Sequence, residues 1–182
     1  TLPDDQKTPL NRFYAQSQVY PQQFQPDWNR SFVLLPEGTP RGAAVLLHGL
    51  TDSPYSVRYL AKAYQQQGFV AVVPRLPGHG TAPGSLTAVD WQQWMATTRL
   101  AVREATRLAG ANVPLHVIGY SNGGALALKY ALDALDDKAL PPPQQIVLLS
   151  PMIGVTAFAR FAGLTGLPAV FPAFARAAWL NV

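Results

Sequence analysis

A chain of 182 residues holds one well-buried core and is too short for two ordinary domains. Hydrophobic residues make up 48% and charged residues 13%, which excludes a disordered chain. The net charge of +4 comes from scattered bases with no basic run, so nucleic acid is excluded as a partner, and the lack of cysteine excludes disulfides and thiolate metal sites.

Residues 1–31 are rich in Gln and Pro with scattered aromatics (Phe13, Tyr14, Tyr20, Phe24, Trp28), the pattern of an N-terminal arm lying on a surface through its rings. From residue 32 the pattern is regular. Strands are expected at 31–35, 43–48, 69–74, 115–120 and 146–150. All but the first are near-continuous apolar runs, as in strands buried on both faces of a parallel sheet. Between them lie three helices. One spans 56–67 and stops at Gly68; one opens on Asp90 as N-cap and runs to about Ala109; one runs from Ser121 to about Leu135. Arg99, Arg103 and Arg107 share one face of the second helix, the spacing of a solvated stripe. Alternating strands and helices define an α/β class with a mostly parallel sheet and flanking helices. Pro141–Pro143 make a stiff connector into the last strand. Residues 155–182 turn apolar and aromatic (Phe158, Phe161, Phe171, Phe174, Trp179). They read either as a buried helical hairpin or as the start of a lid over an acyl pocket.

The segment Gly119-Tyr120-Ser121-Asn122-Gly123 fits G-x-S-x-G, between a buried strand and a helix. On such a turn a serine is held in a strained geometry with its hydroxyl clear of the sheet, so Ser121 is the candidate nucleophile. The flanking glycines answer the close approach of strand and helix. The competing reading is an ordinary N-cap serine among packing glycines. The strand at 43–47 runs into His48-Gly49-Leu50, and the N–H groups of Leu50 and Asn122 are the two candidate oxyanion donors.

Taken together, LLHGLTDSPYS (46–56), PRLPGHG (74–80), the 90–94 segment and GYSNGG (119–124) resemble the α/β-hydrolases, among them bacterial carboxylesterases, monoacylglycerol lipases and serine aminopeptidase-type hydrolases. The resemblance covers roughly residues 32–155. It implies an α/β-hydrolase core over 32–154 and an apolar cap beginning at 155–182. It also implies ester hydrolysis through an acyl-enzyme on Ser121, with Leu50 and Asn122 as the oxyanion hole and no cofactor or metal. A small ester with an apolar acyl group, of medium chain length or a monoacylglycerol, is the expected substrate. A non-catalytic hydrolase-fold protein that binds an acyl ligand or a partner is the alternative.

In this family the acid and the histidine follow the serine in the chain. No histidine follows Ser121, and Asp133, Asp136 and Asp137 lie at the far end of its own helix. His116 is expected in the core. His79 is expected to order a loop, two strands from the serine and nearly 10 Å away at ~4.8 Å per strand. His48, nearer, is expected to prop the oxyanion loop; as general base, His48 and His79 are the weaker readings. The expectation is therefore a fold truncated before its last strands, completed by a C-terminal remainder beyond Val182 that carries the acid and the histidine. The opening Thr1 in place of Met suggests a removed leader, tag or anchor, which leaves cytoplasmic and exported locations both open.

Overall fold

The structure, a computed structural model, describes residues 2–153 apart from residues 12, 19, 21, 22, 24–26, 28, 81, 82 and 111. The chain divides into two compact units, Thr1–Pro151 and Met152–Val182. Of the second, Met152 and Ile153 are described, so the cap expected at 155–182 lies outside the described residues.

Five strands, β1 (Phe32–Leu34), β2 (Gly42–Leu47), β3 (Phe69–Val73), β4 (Leu115–Tyr120) and β5 (Gln145–Leu149), form one sheet in the order β1-β3-β2-β4-β5. All neighbours pair in parallel except β1, which runs antiparallel to β3 with Phe32 opposite Val73. This is the α/β architecture with a mostly parallel sheet that the sequence predicts. β2 sits at the centre and buries all six of its residues, as its uninterrupted apolar run requires. β5 is different. It lies at the edge of the sheet, and its apolar run is only partly covered, with Ile146 and Leu149 exposed.

Alternation along the strands divides the core in two. Val45, Leu47, Val70, Val72 and Val117 face α2 (Trp91–Ala109) and α3 (Asn122–Asp136). Ala44, Leu46, Ala71, Val73 and Ile118 face Ala61 of α1 (Arg58–Gln66). Each buried Val or Leu contributes roughly 1.5–3 kcal/mol on transfer from water, so these two layers hold the sheet. The local signals act where expected. Asp90 caps α2 in a reciprocal pair: its Oδ1 accepts from the Gln93 N–H (2.9 Å), and Gln93 Oε1 accepts from the Asp90 N–H (3.1 Å). Gly68 ends α1 at φ 87°. Tyr130, fully buried on α3, donates to the Pro141 carbonyl (2.9 Å) and so fixes the proline connector ahead of β5.

One expectation needs correction. The first turn read as part of α1 is a separate 3₁₀ turn, Pro54–Val57, because Ser53 caps it and Pro54 starts it. The N-terminal arm is tied to the fold by hydrogen bonds from Ser53 Oγ to Asn29 Oδ1 (2.6 Å) and from the Arg75 N–H to Ser31 Oγ (2.8 Å).

Candidate active site

β4 ends at Tyr120 and α3 begins at Asn122, so Ser121 alone makes the turn from strand to helix. Its backbone sits at φ 52°, ψ −114°, a conformation that L side chains rarely adopt and that costs of order 1–3 kcal/mol. The surroundings impose it. The Ser121 N–H donates to the Leu149 carbonyl on β5 (2.9 Å), and the Ser121 carbonyl accepts from the Gly124 N–H (2.9 Å). A Cβ on Gly119 would stand 2.1 Å from the Gly123 carbonyl oxygen, and one on Gly123 would stand 2.3 Å from the Leu47 carbonyl oxygen. Only glycines let strand and helix meet this closely.

The ordinary N-cap reading of Ser121 fails on the same geometry. A capping serine has extended backbone and accepts an N–H from the first turn. Asp90 does both, at φ −119°, ψ 168°; Ser121 does neither, and its hydroxyl makes no capping bond.

β2 is the parallel neighbour of β4, with Leu47 opposite Gly119, so the loop that follows β2 arrives beside the serine. A Cβ placed on Gly49 would lie 3.6 Å from the Ser121 Cβ and 3.2 Å from the Tyr120 ring. The Gly49–Leu50 peptide thus lies beside the elbow. Asn122 opens α3, where helix geometry leaves its N–H without an i−4 acceptor. Its side chain is 5% exposed, and among the described residues Nδ2 has no partner. The start of α3 also concentrates positive partial charge at this point.

The three histidines separate clearly. His116, expected in the core, is only partly buried: on β4 it packs beside the rings of Tyr64 and Phe69 (centroids 5.8 and 4.8 Å), and this burial lowers its pKa. His48 is fully buried. Its Nδ1 is 2.9 Å from the Gly49 carbonyl, and its Nε2 accepts the Leu76 N–H (3.1 Å). Both ring nitrogens are therefore occupied, and His48 is no free base. Burial chiefly, with the nearby His79 and Arg75, pushes its pKa down to about 4, against the opposing Gly49 hydrogen bond and the Asp52 charge. His79 is 3% exposed and packs edge-on against His48 (4.9 Å) and Trp94 (5.5 Å). Its Nδ1 and the Trp94 indole N–H both reach the Pro77 carbonyl, at 2.9 and 3.0 Å. Trp94 as a loop anchor is not readable from its helical spacing, which marks it only as a core position.

Asp133 is not part of this cluster. Lys129 and Arg99 hold its carboxylate, with the Lys129 hydrogen bond the main cause of its lowered pKa.

A pH effect on stability follows from His48. Its folded pKa is depressed, so between pH 6.5 and about 4 the unfolded chain binds a proton that the folded chain refuses. Stability falls as pH drops through that window, by about 3 kcal/mol over its whole width, and His48 adds no further loss below it. Urea unfolding of the full-length protein at pH 7 and pH 4.5 measures this: the wild type loses about 2–3 kcal/mol more than His48→Gln, which has no imidazole to charge.

Residues 38–178 match the family described as "Serine aminopeptidase, S33". The thermostable monoacylglycerol lipase of Bacillus sp. (strain H-257) is 32% identical over 130 residues, which is 71% of this chain and 47% of the relative. The magnesium-chelatase 30 kDa subunit of Rhodobacter capsulatus is also 32% identical, over 72% of this chain and 40% of the relative. The chain thus spans about half the length, or less, of these relatives. Among solved structures, the metagenome-derived lipolytic enzymes LipS and LipT supply a match with 27% identity and a TM-score of 0.59, covering 68% of this chain and 46% of that one. A soluble variant of the monoglyceride lipase of Saccharomyces cerevisiae shares the fold at 19% identity, with a TM-score of 0.60 over 78% of this chain and 48% of that one. Sequence match, sheet order and strand–serine–helix turn agree: the chain belongs to the serine aminopeptidase S33 family of α/β-hydrolases.

Proposed function

We propose that the protein is a serine hydrolase of carboxylic esters that works through an acyl-enzyme on Ser121. The observation that carries this reading is the Ser121 backbone, strained at φ 52° and ψ −114° with a hydroxyl not used for capping. Strain of this kind persists where the surroundings enforce it, and on a strand-to-helix turn it is the geometry that presents a nucleophile. In the proposed reaction Ser121 Oγ attacks the ester carbonyl and forms a tetrahedral intermediate. The N–H groups of Leu50 and Asn122 receive the oxyanion, and collapse expels the alcohol. Water then releases the acid by the reverse route. The proton moves through a histidine, oriented by an acid, both supplied by a C-terminal remainder of the same protein. None of His48, His79 and His116 is suited to it, since His48 and His79 are buried in their own hydrogen bonds and His116 lies near the start of β4, five residues before Ser121.

The apolar composition of 155–182 and the similarity to a monoacylglycerol lipase favour a medium-chain acyl ester or a monoacylglycerol. Steady-state hydrolysis of p-nitrophenyl esters from C2 to C16 and of 1-monoacylglycerols by the full-length protein tests the reading. A kcat/KM maximum at intermediate chain length supports it, and no turnover of any ester above the Ser121→Ala background contradicts it. Similarity to a protein named as a chelatase subunit keeps a second reading in play, a hydrolase fold used for binding. That reading predicts acyl-ligand binding by the full-length protein without turnover.

A further inference from the structure

The serine-hydrolase reading leaves open what keeps the Leu50 amide aimed at the serine. Leu50 sits in an irregular loop, where a peptide can rotate as a unit. The carbonyl of Gly49 and the N–H of Leu50 belong to the same peptide. In a planar trans peptide the two point in opposite directions, so whatever holds the carbonyl also aims the N–H.

We propose that His48 is the positioning residue of the oxyanion hole, holding the Gly49 carbonyl inward so that the Leu50 N–H faces Ser121. The inference rests on the serine-hydrolase reading above for its consequence in catalysis, and on five contacts for its geometry. The Leu76 N–H donates to His48 Nε2 (3.1 Å); a backbone amide has no other role, so Nε2 carries a lone pair. A neutral ring then carries its proton on Nδ1, and this N–H donates to the Gly49 carbonyl 2.9 Å away. The ring is fully buried, and His79 packs against it edge-on at 4.9 Å. His79 in turn is fixed through the Pro77 carbonyl, which also accepts the Trp94 indole N–H from α2. The carbonyl of Gly49 is thus tied through His48 to the loop after β3 and through His79 to α2. A Cβ placed on Gly49 would lie 3.2 Å from the Tyr120 ring and 3.6 Å from the Ser121 Cβ, so the peptide that His48 holds lies beside the serine. Flipping this peptide would break the Nδ1 bond and place an unpaired carbonyl where the oxyanion develops.

Two substitutions in the full-length protein separate positioning from mere packing. An Asn amide can stand in for the Nδ1–H donor, whereas a Gln amide reaches the Nε2 position and can accept from Leu76 but leaves the Gly49 carbonyl without a donor. His48→Gln is expected to lower kcat by ~10²-fold, the loss of about one oxyanion donor, with KM changed less than about threefold. His48→Asn is expected to recover kcat to within about tenfold of wild type. Equal kcat in Gln variant and wild type, or equal losses in both variants, overturns the proposal. A direct readout needs no variant. In a two-bond ¹H–¹⁵N spectrum of the full-length wild type, His48 is expected as the Nδ1–H tautomer across neutral pH, and an Nε2–H tautomer overturns the proposal however the variants fold. Wild-type protein with this tautomer but without esterase activity would instead remove the serine-hydrolase reading.

Discussion

Ser121→Ala in the full-length protein is expected to lower kcat for ester hydrolysis by about 10⁵–10⁶-fold while leaving the fold intact. Nucleophile, base and acid act as a unit, so removal of the nucleophile alone costs nearly as much as removal of all three. What survives is the part contributed by binding and the oxyanion donors, and KM is expected to stay close to wild type. Stability should hardly change. The serine hydroxyl caps nothing, and alanine keeps the Cβ and with it the strained φ of 52°. Comparison of kcat with the thermal midpoint therefore distinguishes loss of chemistry from loss of structure.

The second large effect is on stability. Gly123→Ala is expected to destabilise the protein by at least about 3 kcal/mol, at or beyond the upper end for overpacking. The added Cβ would lie 2.3 Å from the Leu47 carbonyl oxygen, 2.6 Å from its carbon and 2.7 Å from the His48 carbonyl oxygen. All three are backbone atoms at the end of the central strand, so no side chain can rotate away. Relief requires α3 to move off the sheet, which also displaces Ser121 and the loop that carries Leu50. Gly84→Ala is the control: nothing lies within 4 Å of its Cβ position, and an effect within about 0.5 kcal/mol is expected. Denaturant unfolding of both variants measures the contrast.

How far the sequence carries depends on the range of the forces involved. Strands β2 to β4 are legible as apolar runs because burial on both faces leaves no polar alternation, β5 is legible as an apolar run alone, and the limits of all four shift by a residue at most from the expected ones. The Asp90 cap was visible because both partners lie within one helical turn. The Ser121 turn was visible because glycines must flank so close an approach. The antiparallel pairing of β1 with β3 was not, since three residues of alternating burial specify a strand but not its partner. The partial exposure of β5 is not legible, since its apolar run looks like that of a strand covered on both faces. The place of His48 before Gly49 is legible, but its hydrogen bond from the Leu76 N–H, 28 residues away, is not. Trp94 likewise bonds a carbonyl 17 residues distant. Such contacts exist only once the sheet order is set.

The account turns on the reactivity of a single hydroxyl. Treating the full-length protein with a fluorophosphonate and mapping the adduct by peptide mass spectrometry tests that directly. The account predicts stoichiometric modification confined to Ser121 and none in Ser121→Ala. Folded full-length protein that takes up no label at Ser121, or takes it up at another residue, would contradict it.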